Sequence, residues 1–450
     1  MDAPHIAVEP PGPRAREVIE RDRGAASSCY IKAYPLVVAR GRGAVVEDVD
    51  GNRYLDFMAG IGVASTGHAH PRVVEAIREA SGRFLHICGT DFYYPELAEL
   101  LERLAALAPG PTPKRVFLTN SGTEAVDGAL KLARYATGRT EVVAFDGAFH
   151  GRTYGGMSLT SSKAKQRRGF GPFVPGIHHV PYAYCYRCAY GKTYPSCGLH
   201  CVSAIEETLF AHRVDPRDVA AVFVEPVQGE GGFIVPPPDY LGALRSLCDR
   251  HGILLVADEV QSGVGRTGRI FACEHAGVEP DILLTAKGLA SGMPLGAIVF
   301  REPQDRWGSG AHGSTFGGNP VCCAAALATL ELVEEELADR AARVGERLLA
   351  GLEELAARHG VVGDVRGIGL MAGIEIVAVS GAGDGGGAEG GAPPPDGRLA
   401  RKVVRRAFQK GLLLLEAGES TVRLLPPLVV NEDQVDRALE ILDGILEELA

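Results

Sequence analysis

The sequence has no excess of positive charge, no long apolar run and few cysteines for its length. It carries 46 Lys and Arg residues against 56 Asp and Glu residues, which gives a formal net charge of −10. A chain without a basic field is a poor match for nucleic acid as its main partner. It contains no run of 18 apolar residues, and its N-terminus lacks the basic-then-apolar pattern of a signal peptide. We therefore expect a cytoplasmic protein with neither a membrane nor a nucleic-acid partner.

The ten cysteines are scattered along the 450 residues, which argues against a disulfide framework. Four of them nevertheless cluster, at Cys185, Cys188, Cys197 and Cys201, with His200 beside the last. The first spacing is that of a zinc knuckle and the second is one residue longer, so zinc or an iron–sulfur centre is conceivable. The alternative is a surface loop, rich in Pro and Tyr, with reduced thiols. We favour the loop and expect no metal.

The length of the chain predicts more than one domain, because a single core stops growing at roughly 250 to 300 residues. Residues 1–75 form an N-terminal segment in this interpretation. Over 76–321, apolar strands alternate with helical intervals, which predicts an α/β domain with a mainly parallel sheet. Residues 322–450 form a C-terminal domain that is mostly helical. Within it, 380–397 consist almost wholly of Gly, Ala, Pro and acids, which predicts a flexible surface insertion.

Local patterns also place individual strands. An Asp-Gly-Asn turn in the stretch 44–57 predicts a hairpin in the N-terminal segment, and the C-terminal domain has one short strand around 370–376. The predicted strands of the α/β domain are 116–118, 141–145, 220–224, 253–257, 281–285 and 296–300.

Two of these strands lead into charged residues. The apolar run 253–257 is followed by Asp258, and the run 281–285 is followed two residues later by Lys287. Continuous apolar runs suit strands that are buried on both faces of a parallel sheet, and ligands bind at the carboxyl ends of such strands. The acid and the lysine should therefore face one cleft.

A third strand end predicts an anion site. The strand 116–118 leads into Ser121, Gly122 and Thr123 at the start of a helix. Backbone N–H groups and the positive end of the helix dipole would meet a dianionic phosphate there, with the two hydroxyls helping. An ordinary helix cap is the alternative.

Taken together, these stretches resemble the class III aminotransferases, the family of 4-aminobutyrate, ornithine and acetylornithine aminotransferases, over nearly the whole chain. The resemblance implies pyridoxal 5'-phosphate as cofactor and a fold-type I α/β enzyme. In that fold a large domain surrounds a mainly parallel sheet, and the N- and C-terminal segments build a smaller α+β domain. In the family, the lysine matching Lys287 forms a Schiff base with the cofactor aldehyde, and the aspartate matching Asp258 pairs with the pyridine nitrogen.

These residue types suit that chemistry. A buried carboxylate keeps the pyridine nitrogen protonated, so the ring can accept electrons when the substrate loses a proton. A lysine desolvated at the bottom of a cleft has a lowered pKa, so it can attack a carbonyl and later shuttle the proton. Alone, Asp258 could simply begin a loop and Lys287 could be a solvated surface residue, but the combined pattern favours the catalytic interpretation.

The resemblance implies further cofactor contacts by position. Ser121, Gly122 and Thr123 match the family's phosphate loop. The ring contacts implied are Phe149 on one face and Gln261 at the ring hydroxyl. Val260 lies two residues past Asp258 and so projects to the same side, which suits contact with the other face. His150 and Glu225 are further candidate contacts of the cofactor. Core packing is the alternative for Phe149, and structural support is the alternative for His150.

One segment carries a dimer signal. Over 312–320 the chain reads His-Gly-Ser-Thr-Phe-Gly-Gly-Asn-Pro, and in the family the residue matching Thr315 reaches the phosphate bound by the neighbouring subunit. The resemblance thus implies a homodimer with shared active sites. A glycine-rich turn without this role is the alternative.

Arg152 and Arg423 match the family's two carboxylate-binding arginines. A planar guanidinium binds a carboxylate through two hydrogen bonds, which explains the residue type. Glu230 matches the glutamate that masks the second arginine when an ω-amine binds and releases it for an α-carboxylate. A surface ion pair is the alternative for Glu230 and Arg423.

The resemblance favours an aminotransferase that moves an amino group from an amino acid or ω-amino acid to a 2-oxo acid such as 2-oxoglutarate. A racemase or epimerase on the same scaffold is the alternative, because both reactions need Asp258 and Lys287. A protein that merely keeps the fold is disfavoured, since no catalytic position is degraded.

Overall fold

The computed structural model describes residues 3–378 and 391–449. The predicted insertion over 380–397 therefore lies outside the described residues up to residue 390. Its remaining part is hydrogen-bonded to residues 376–378, because Ala378 N donates to Pro394 O and Asp396 N donates to Ile376 O, each at 2.9 Å.

The helices of the described ranges are, in chain order, α1 (Pro13–Ala25), α2 (Ala59–Gly62), α3 (Pro71–Arg83), α4 (Pro95–Leu107), α5 (Gly122–Thr137), α6 (Tyr154–Leu159), α7 (His200–Ala204), α8 (Tyr240–His251), α9 (Pro320–Leu332), α10 (Ala338–Arg358), α11 (Gly397–Gln409) and α12 (Glu432–Leu449). Not one of the helices in these ranges has the length and apolar character needed to cross a membrane.

The strands of the same ranges are β1 (Val38–Arg42), β2 (Val45–Asp48), β3 (Arg53–Asp56), β4 (Lys114–Thr119), β5 (Glu141–Phe145), β6 (Ile177–Val180), β7 (Val219–Val224), β8 (Leu254–Asp258), β9 (Ile282–Thr285), β10 (Gly296–Arg301), β11 (Val362–Ile368), β12 (Met371–Ile376), β13 (Leu412–Leu413), β14 (Leu415–Ala417) and β15 (Thr421–Leu424).

The central sheet of the described chain has seven strands in the order β4-β10-β9-β8-β7-β5-β6. Strand β10 is antiparallel to β4 and β9, while β9, β8, β7, β5 and β6 pair in parallel. The expected α/β fold with a mainly parallel sheet is confirmed. Each strand predicted for this domain is present within about two residues at either end, and β6 is an addition.

Neighbouring residues of β8 pack into different hydrophobic clusters, one on each face of the sheet. In β8, Val256 packs in the cluster beneath α5, whereas Leu255 packs in the larger cluster that includes Leu244 of α8. Because side chains alternate along a strand, Asp258 projects to the same face as Val256, towards α5. Burial on both faces explains why β7 and β8 read as uninterrupted apolar runs.

The N- and C-terminal segments share a sheet. β2 and β3 form the predicted hairpin, and β13 from the C-terminal segment pairs in parallel with β3. A further sheet in the described C-terminal residues has the order β11-β12-β15-β14. The sequence predicted a single short strand there, at the position of β12, so the other three are a correction.

Candidate active site

The carboxyl ends of β8 and β9 bring Asp258 and Lys287 into one cleft. The two strands are parallel neighbours, with Asp258 paired in register with Leu284. Lys287 follows β9 by two residues and is half-buried, with a positive φ of 38°. A left-handed non-glycine residue is strained, and such strain tends to lie at functional sites. Burial lowers the pKa of the Lys287 amine, although the Asp258 carboxylate opposes the shift.

Asp258 is buried and paired with His150. Nδ1 of His150 lies 2.7 Å from Oδ2 of Asp258, while Oδ1 accepts a hydrogen bond from the Val260 N–H at 3.1 Å. Burial disfavours the imidazolium, but the hydrogen bond to the carboxylate outweighs it, so the pKa of His150 is raised. The backbone N–H of His150 donates to Thr160 Oγ1 at 2.8 Å, which fixes the ring beside Asp258.

Glu225 follows β7 and lies in the cleft near His150 and Asp258. Its oxygens accept hydrogen bonds from the backbone N–H groups of Phe149, at 3.2 Å, and Gly229, at 3.1 Å. Burial raises the pKa of the Glu225 carboxyl to about 7. This residue therefore orders the Phe149 and Gly229 loops from the interior.

The start of α5 is where the sequence predicts an anion site. Ser121 is the N-cap of this helix, and the first-turn N–H groups of an α-helix have no partner within the helix. Gly122 lies against Val260, since a Cβ at Gly122 would stand 2.7 Å from Val260 Cγ1. The Thr123 hydroxyl is already engaged, because it accepts the backbone N–H groups of Arg152 and Thr153 at 3.1 and 3.2 Å.

Pyridoxal phosphate fits this set of groups. Gln261 Oε1 and His150 Nε2 are buried atoms without a partner among the described residues. The cleft also offers a buried amine, a buried carboxylate and the N-terminus of α5, which match an aldehyde, a ring nitrogen and a phosphate. Lys287, Asp258 and Gly122 are the residues that would hold those three groups.

The Glu230 and Arg423 side chains meet at one edge of the cleft. Arg423 Nη1 donates to Glu230 Oε1 at 2.6 Å, and the arginine is nearly fully buried. Arg423 Nε is buried and has no partner in the described chain. Burial would raise the pKa of Glu230, but the Arg423 guanidinium outweighs it and the pKa is lowered. A buried pair of this kind is not the surface ion pair considered as the alternative.

Arg152 and Thr315 are exposed in the single chain. The Arg152 guanidinium lies 5.4 Å from the centre of the Phe149 ring. The loop of Thr315 approaches the start of α5, because Asn120 Nδ2 donates to Ser314 Oγ at 3.2 Å. Both residues therefore border the cleft without entering it.

The cysteine-rich loop lies apart from these contacts. Cys185, Cys188, Cys197 and Cys201 are free and line one small cavity together with His200. Among the residues that the structure describes, no group of three or more His, Cys, Asp or Glu side chains is arranged to hold a metal ion.

The sequence did not indicate three residues near the cleft. Tyr182 OH donates to Glu225 O at 2.9 Å, and Thr160 supports His150 as described above. Lys163 is partly buried near Glu230, and burial lowers the pKa of its amine while Glu230 raises it. In the sequence these residues look like ordinary loop positions, so no local signal identifies them.

Comparison with known proteins identifies the family to which the chain is similar. A family model described as aminotransferase class-III matches residues 28–446. The chain is 41% identical over 443 residues to 5-aminovalerate aminotransferase DavT of Pseudomonas aeruginosa, which covers 96% of this chain and 98% of that protein. It is 40% identical over 456 residues to an alanine/serine racemase of Pyrococcus horikoshii, covering 100% and 94%. It is also 40% identical over 451 residues to 4-aminobutyrate aminotransferase of Mycobacterium tuberculosis, covering 99% and 98%.

Solved structures agree with that grouping. An amine transaminase from an uncultivated Pseudomonas species in the PLP-bound form has a TM-score of 0.85 at 32% identity, covering 100% of both chains. A Bacillus anthracis aminotransferase has a TM-score of 0.87 at 30% identity, covering 97% of this chain and 99% of that one.

Proposed function

The chain belongs to the class III aminotransferases, which use pyridoxal 5'-phosphate, and on that premise we propose that it moves the amino group of a linear ω-amino acid to 2-oxoglutarate. The observation that carries the substrate class is the buried pair of Glu230 and Arg423. Similarity to 5-aminovalerate and 4-aminobutyrate aminotransferases supports the same class of donor.

Each residue at the base of the cleft has a role in this proposal. The bound cofactor supplies an electron sink that lowers the barrier to removing a proton from the carbon next to the substrate nitrogen. Lys287, whose pKa is lowered by burial, accepts that proton on Nζ and returns it. Asp258 supplies the negative charge that balances a protonated ring nitrogen, and His150 holds Asp258 in position.

The rim residues select the substrate. Arg152 is exposed at the mouth of the cleft and suits the carboxylate distal to the reacting amine. While an ω-amino acid is bound, Glu230 covers Arg423, so the guanidinium does not attract a second carboxylate. When glutamate or 2-oxoglutarate enters, the pair opens and Arg423 binds the α-carboxylate.

A homodimer with shared sites is part of the proposal. Large apolar side chains that are each more than half exposed lie on two segments, at Phe84, Leu85, Phe92, Tyr93 and Phe316. The segments are bonded to each other, for example by Asn319 Nδ2 to Leu85 O at 2.8 Å. A patch of this kind marks a protein interface. It borders the Thr315 loop, which supports Thr315 as a contact to the partner's phosphate site.

The cytoplasm is the proposed compartment. All ten cysteines are free, four of them in one loop, and such thiols persist in a reducing environment.

An amino-donor panel tests the function. Purified enzyme is assayed with 4-aminobutyrate, 5-aminovalerate, ornithine and alanine against 2-oxoglutarate and pyruvate, with chiral analysis of the recovered amino acids. We expect 2-oxoglutarate-dependent loss of a terminal amine. Inversion of an amino acid's stereocentre without any oxo acid, faster than transamination, would show that the enzyme is a racemase. Such an enzyme needs an acid-base group on each face of the Cα, and Lys287 supplies one.

A further inference from the structure

A second polar cluster lies directly behind the Glu230–Arg423 pair and has no part in the roles given above. Its centre is Arg366 of β11, whose side chain is almost fully buried. Strand register places Arg366 opposite Gly373 of β12, and Gly373 opposite Arg423 of β15. Directly opposed residues project to the same face of a sheet. Arg366 and Arg423 therefore leave the sheet on one side with only a glycine between them.

The Arg366 guanidinium bonds the two backbone segments that carry the pair. Nε donates to Gly232 O at 2.8 Å, two residues after Glu230. Nη2 donates to Thr421 Oγ1 at 2.8 Å, two residues before Arg423. The approach needs glycine at position 232, where φ is +131° and a Cβ would stand 3.0 Å from Arg366 Nη2. The Arg366 side chain thus connects the loop that carries Glu230 to the strand that carries Arg423.

Two carboxylates and one ring hold Arg366 in place. Nη1 lies 2.6 Å from Asp364 Oδ2 and 2.9 Å from Glu375 Oε2, partners that a buried charge requires. Glu375 also accepts hydrogen bonds from Tyr184 OH and from Arg187 Nε. The Arg366 guanidinium lies 5.0 Å from the centre of the Tyr184 ring. Tyr184 directly precedes Cys185, and Arg187 directly precedes Cys188. The cysteine-rich loop therefore supplies two of the side chains of this cluster.

The pair itself has fewer polar contacts than Arg366 has, although the Arg423 guanidinium also lies 5.8 Å from the centre of the Phe233 ring. A single hydrogen bond joins Arg423 to Glu230, and Arg423 Nε has no partner within the described ranges. Rotation of one side chain is enough to open such a pair. The pair opens and closes in the same geometry only if the backbone segments of Glu230 and Arg423 keep their spacing, because substrate binding tolerates little displacement.

We propose that Arg366 is a positioning residue that fixes the spacing of Glu230 and Arg423 and thereby sets the choice between donors. Glu375 and Tyr184 keep Arg366 in place, so the cysteine-rich loop contributes to substrate discrimination from a distance. The proposal rests on the function proposed above, since it needs a pair that serves both ω-amino acids and glutamate. When the spacing is lost, Arg423 is left unmasked, and ω-amino donors lose more than glutamate does.

The test is the ratio of kcat/KM for 4-aminobutyrate to kcat/KM for glutamate in the cofactor-loaded enzyme. We expect Arg366→Met to lower this ratio about tenfold, mainly through the KM for 4-aminobutyrate. Arg366→Lys keeps the charge and should lower it less, and Tyr184→Phe should lower it about threefold. Arg347→Gln is the matched control, because it removes an exposed arginine paired with Asp436, and it should leave the ratio unchanged.

Two further measurements separate positioning from a general loss of structure. In a Glu230→Ala background, Arg366→Met should leave the ratio unchanged, because no pair remains to be positioned. Backbone hydrogen exchange in Arg366→Met should quicken over 228–233 and 418–423, as well as at the segments of its partners Asp364, Glu375 and Tyr184, while segments outside this cluster are unaffected. If that variant does not fold, Arg366→Lys and Tyr184→Phe decide the matter.

A ratio within about twofold of wild type in every folded variant of Arg366 and Tyr184 would overturn the proposal. A wild-type enzyme that uses only one of the two donors would instead overturn the proposed function. The two failures are therefore distinguishable from one set of kinetic measurements.

Discussion

One carboxylate at the base of the cleft acts on two bases with different results. Asp258 raises the pKa of both His150 and Lys287, while burial lowers both. For His150 the carboxylate prevails and the pKa is raised, whereas for Lys287 burial prevails and the pKa is lowered. The raised pKa favours the protonated imidazole of His150, and the lowered pKa of Lys287 favours the neutral amine that a nucleophile and base requires.

We predict that Asp258→Asn leaves the cofactor bound but slows the reaction. The variant keeps the side-chain shape and removes the charge that balances the ring-nitrogen proton, which should cost more than ~1 kcal/mol of barrier. Single-turnover rates with 4-aminobutyrate measure the effect. A rate within about threefold of wild type would contradict the role given to Asp258.

The same variant should change the pH dependence of stability. Because the folded-state pKa of His150 is raised, the stabilisation from its pairing with Asp258 is fully present below the unfolded pKa, about 6.5. It is lost as the pH rises through the folded pKa. The Tm difference between wild-type and Asp258→Asn apoenzymes should therefore shrink as the pH is raised. A difference that is constant with pH would show that His150 does not titrate against Asp258.

The sequence indicates a functional residue only where neighbouring residues in the chain mark its position. Lys287 and Asp258 were predicted because each follows an apolar run, and the two strands are parallel neighbours in the fold. The partnership of His150 with Asp258 spans 108 positions, so no spacing in the sequence could indicate it. The contacts of Thr123 are likewise invisible in the sequence, because its hydroxyl accepts the N–H groups of Arg152 and Thr153, about 30 positions away.

At the scale of elements, burial determined what could be predicted. Strands β7, β8 and β9 are wholly buried, and such strands are visible as apolar runs. Strand β6 contains two consecutive histidines, which broke the pattern. In the C-terminal sheet, β11 and β15 carry Arg366 and Arg423 on a face that is buried against the active site. Charged residues at alternate positions look solvent-exposed in a sequence, and here they are interior.

Gly122, at the N-terminus of α5, gives a prediction about the cofactor site. A Cβ at Gly122 would lie 2.7 Å from Val260 Cγ1, so Gly122→Ala must displace Val260 from its place beside the cleft. We expect cofactor affinity to fall about tenfold, roughly 1.4 kcal/mol, and apoenzyme stability to fall as well, because displacing the packed Val260 side chain costs more than the helix preference of alanine returns. Equilibrium titration of the apoenzyme with pyridoxal phosphate measures the affinity.

Gly82→Ala is the matched control for Gly122→Ala. Gly82 is an exposed residue of α3 with nothing within 4 Å of its added Cβ. Its replacement should leave the affinity for pyridoxal phosphate unchanged. An equal loss of affinity in both variants would mean that Gly122 has no specific role at the site.

The cysteine-rich loop gives a prediction about metal content. We expect less than one zinc or iron per chain, with Cys185→Ser and Cys188→Ser folding normally, because the loop is held by the Tyr184 and Arg187 contacts to Glu375. Elemental analysis of protein purified without chelators measures the content, and Cys29→Ser, an exposed thiol outside the loop, is the control. One metal per chain, lost together with stability in either loop variant, would contradict the prediction.

At the scale of the whole molecule, the active site joins parts that are distant in the chain. Glu230 follows β7 of the seven-stranded sheet, and Arg423 lies in β15 of the C-terminal sheet. The exposed apolar patch around Phe316 borders the loop that reaches Asn120 at the start of α5. An isolated chain therefore leaves apolar surface open next to the start of α5.

A mixing experiment tests whether a second chain completes the site. Lys287→Ala subunits lack the base, and Thr315→Ala subunits lack the hydroxyl proposed to reach the partner's phosphate site. If Thr315 acts across the interface, a mixed dimer has one cleft with both residues and one cleft with neither. Random re-association makes half of all dimers mixed, so about a quarter of wild-type activity should return at limiting cofactor.

Each variant alone should remain well below that level under the same conditions, and mixing Lys287→Ala with wild type calibrates the exchange of subunits. If Thr315 served the cleft of its own chain, every cleft in a mixed dimer would lack one of the two residues. Activity would then only average that of the two parents. Recovery above this average therefore requires that the two chains share their active sites.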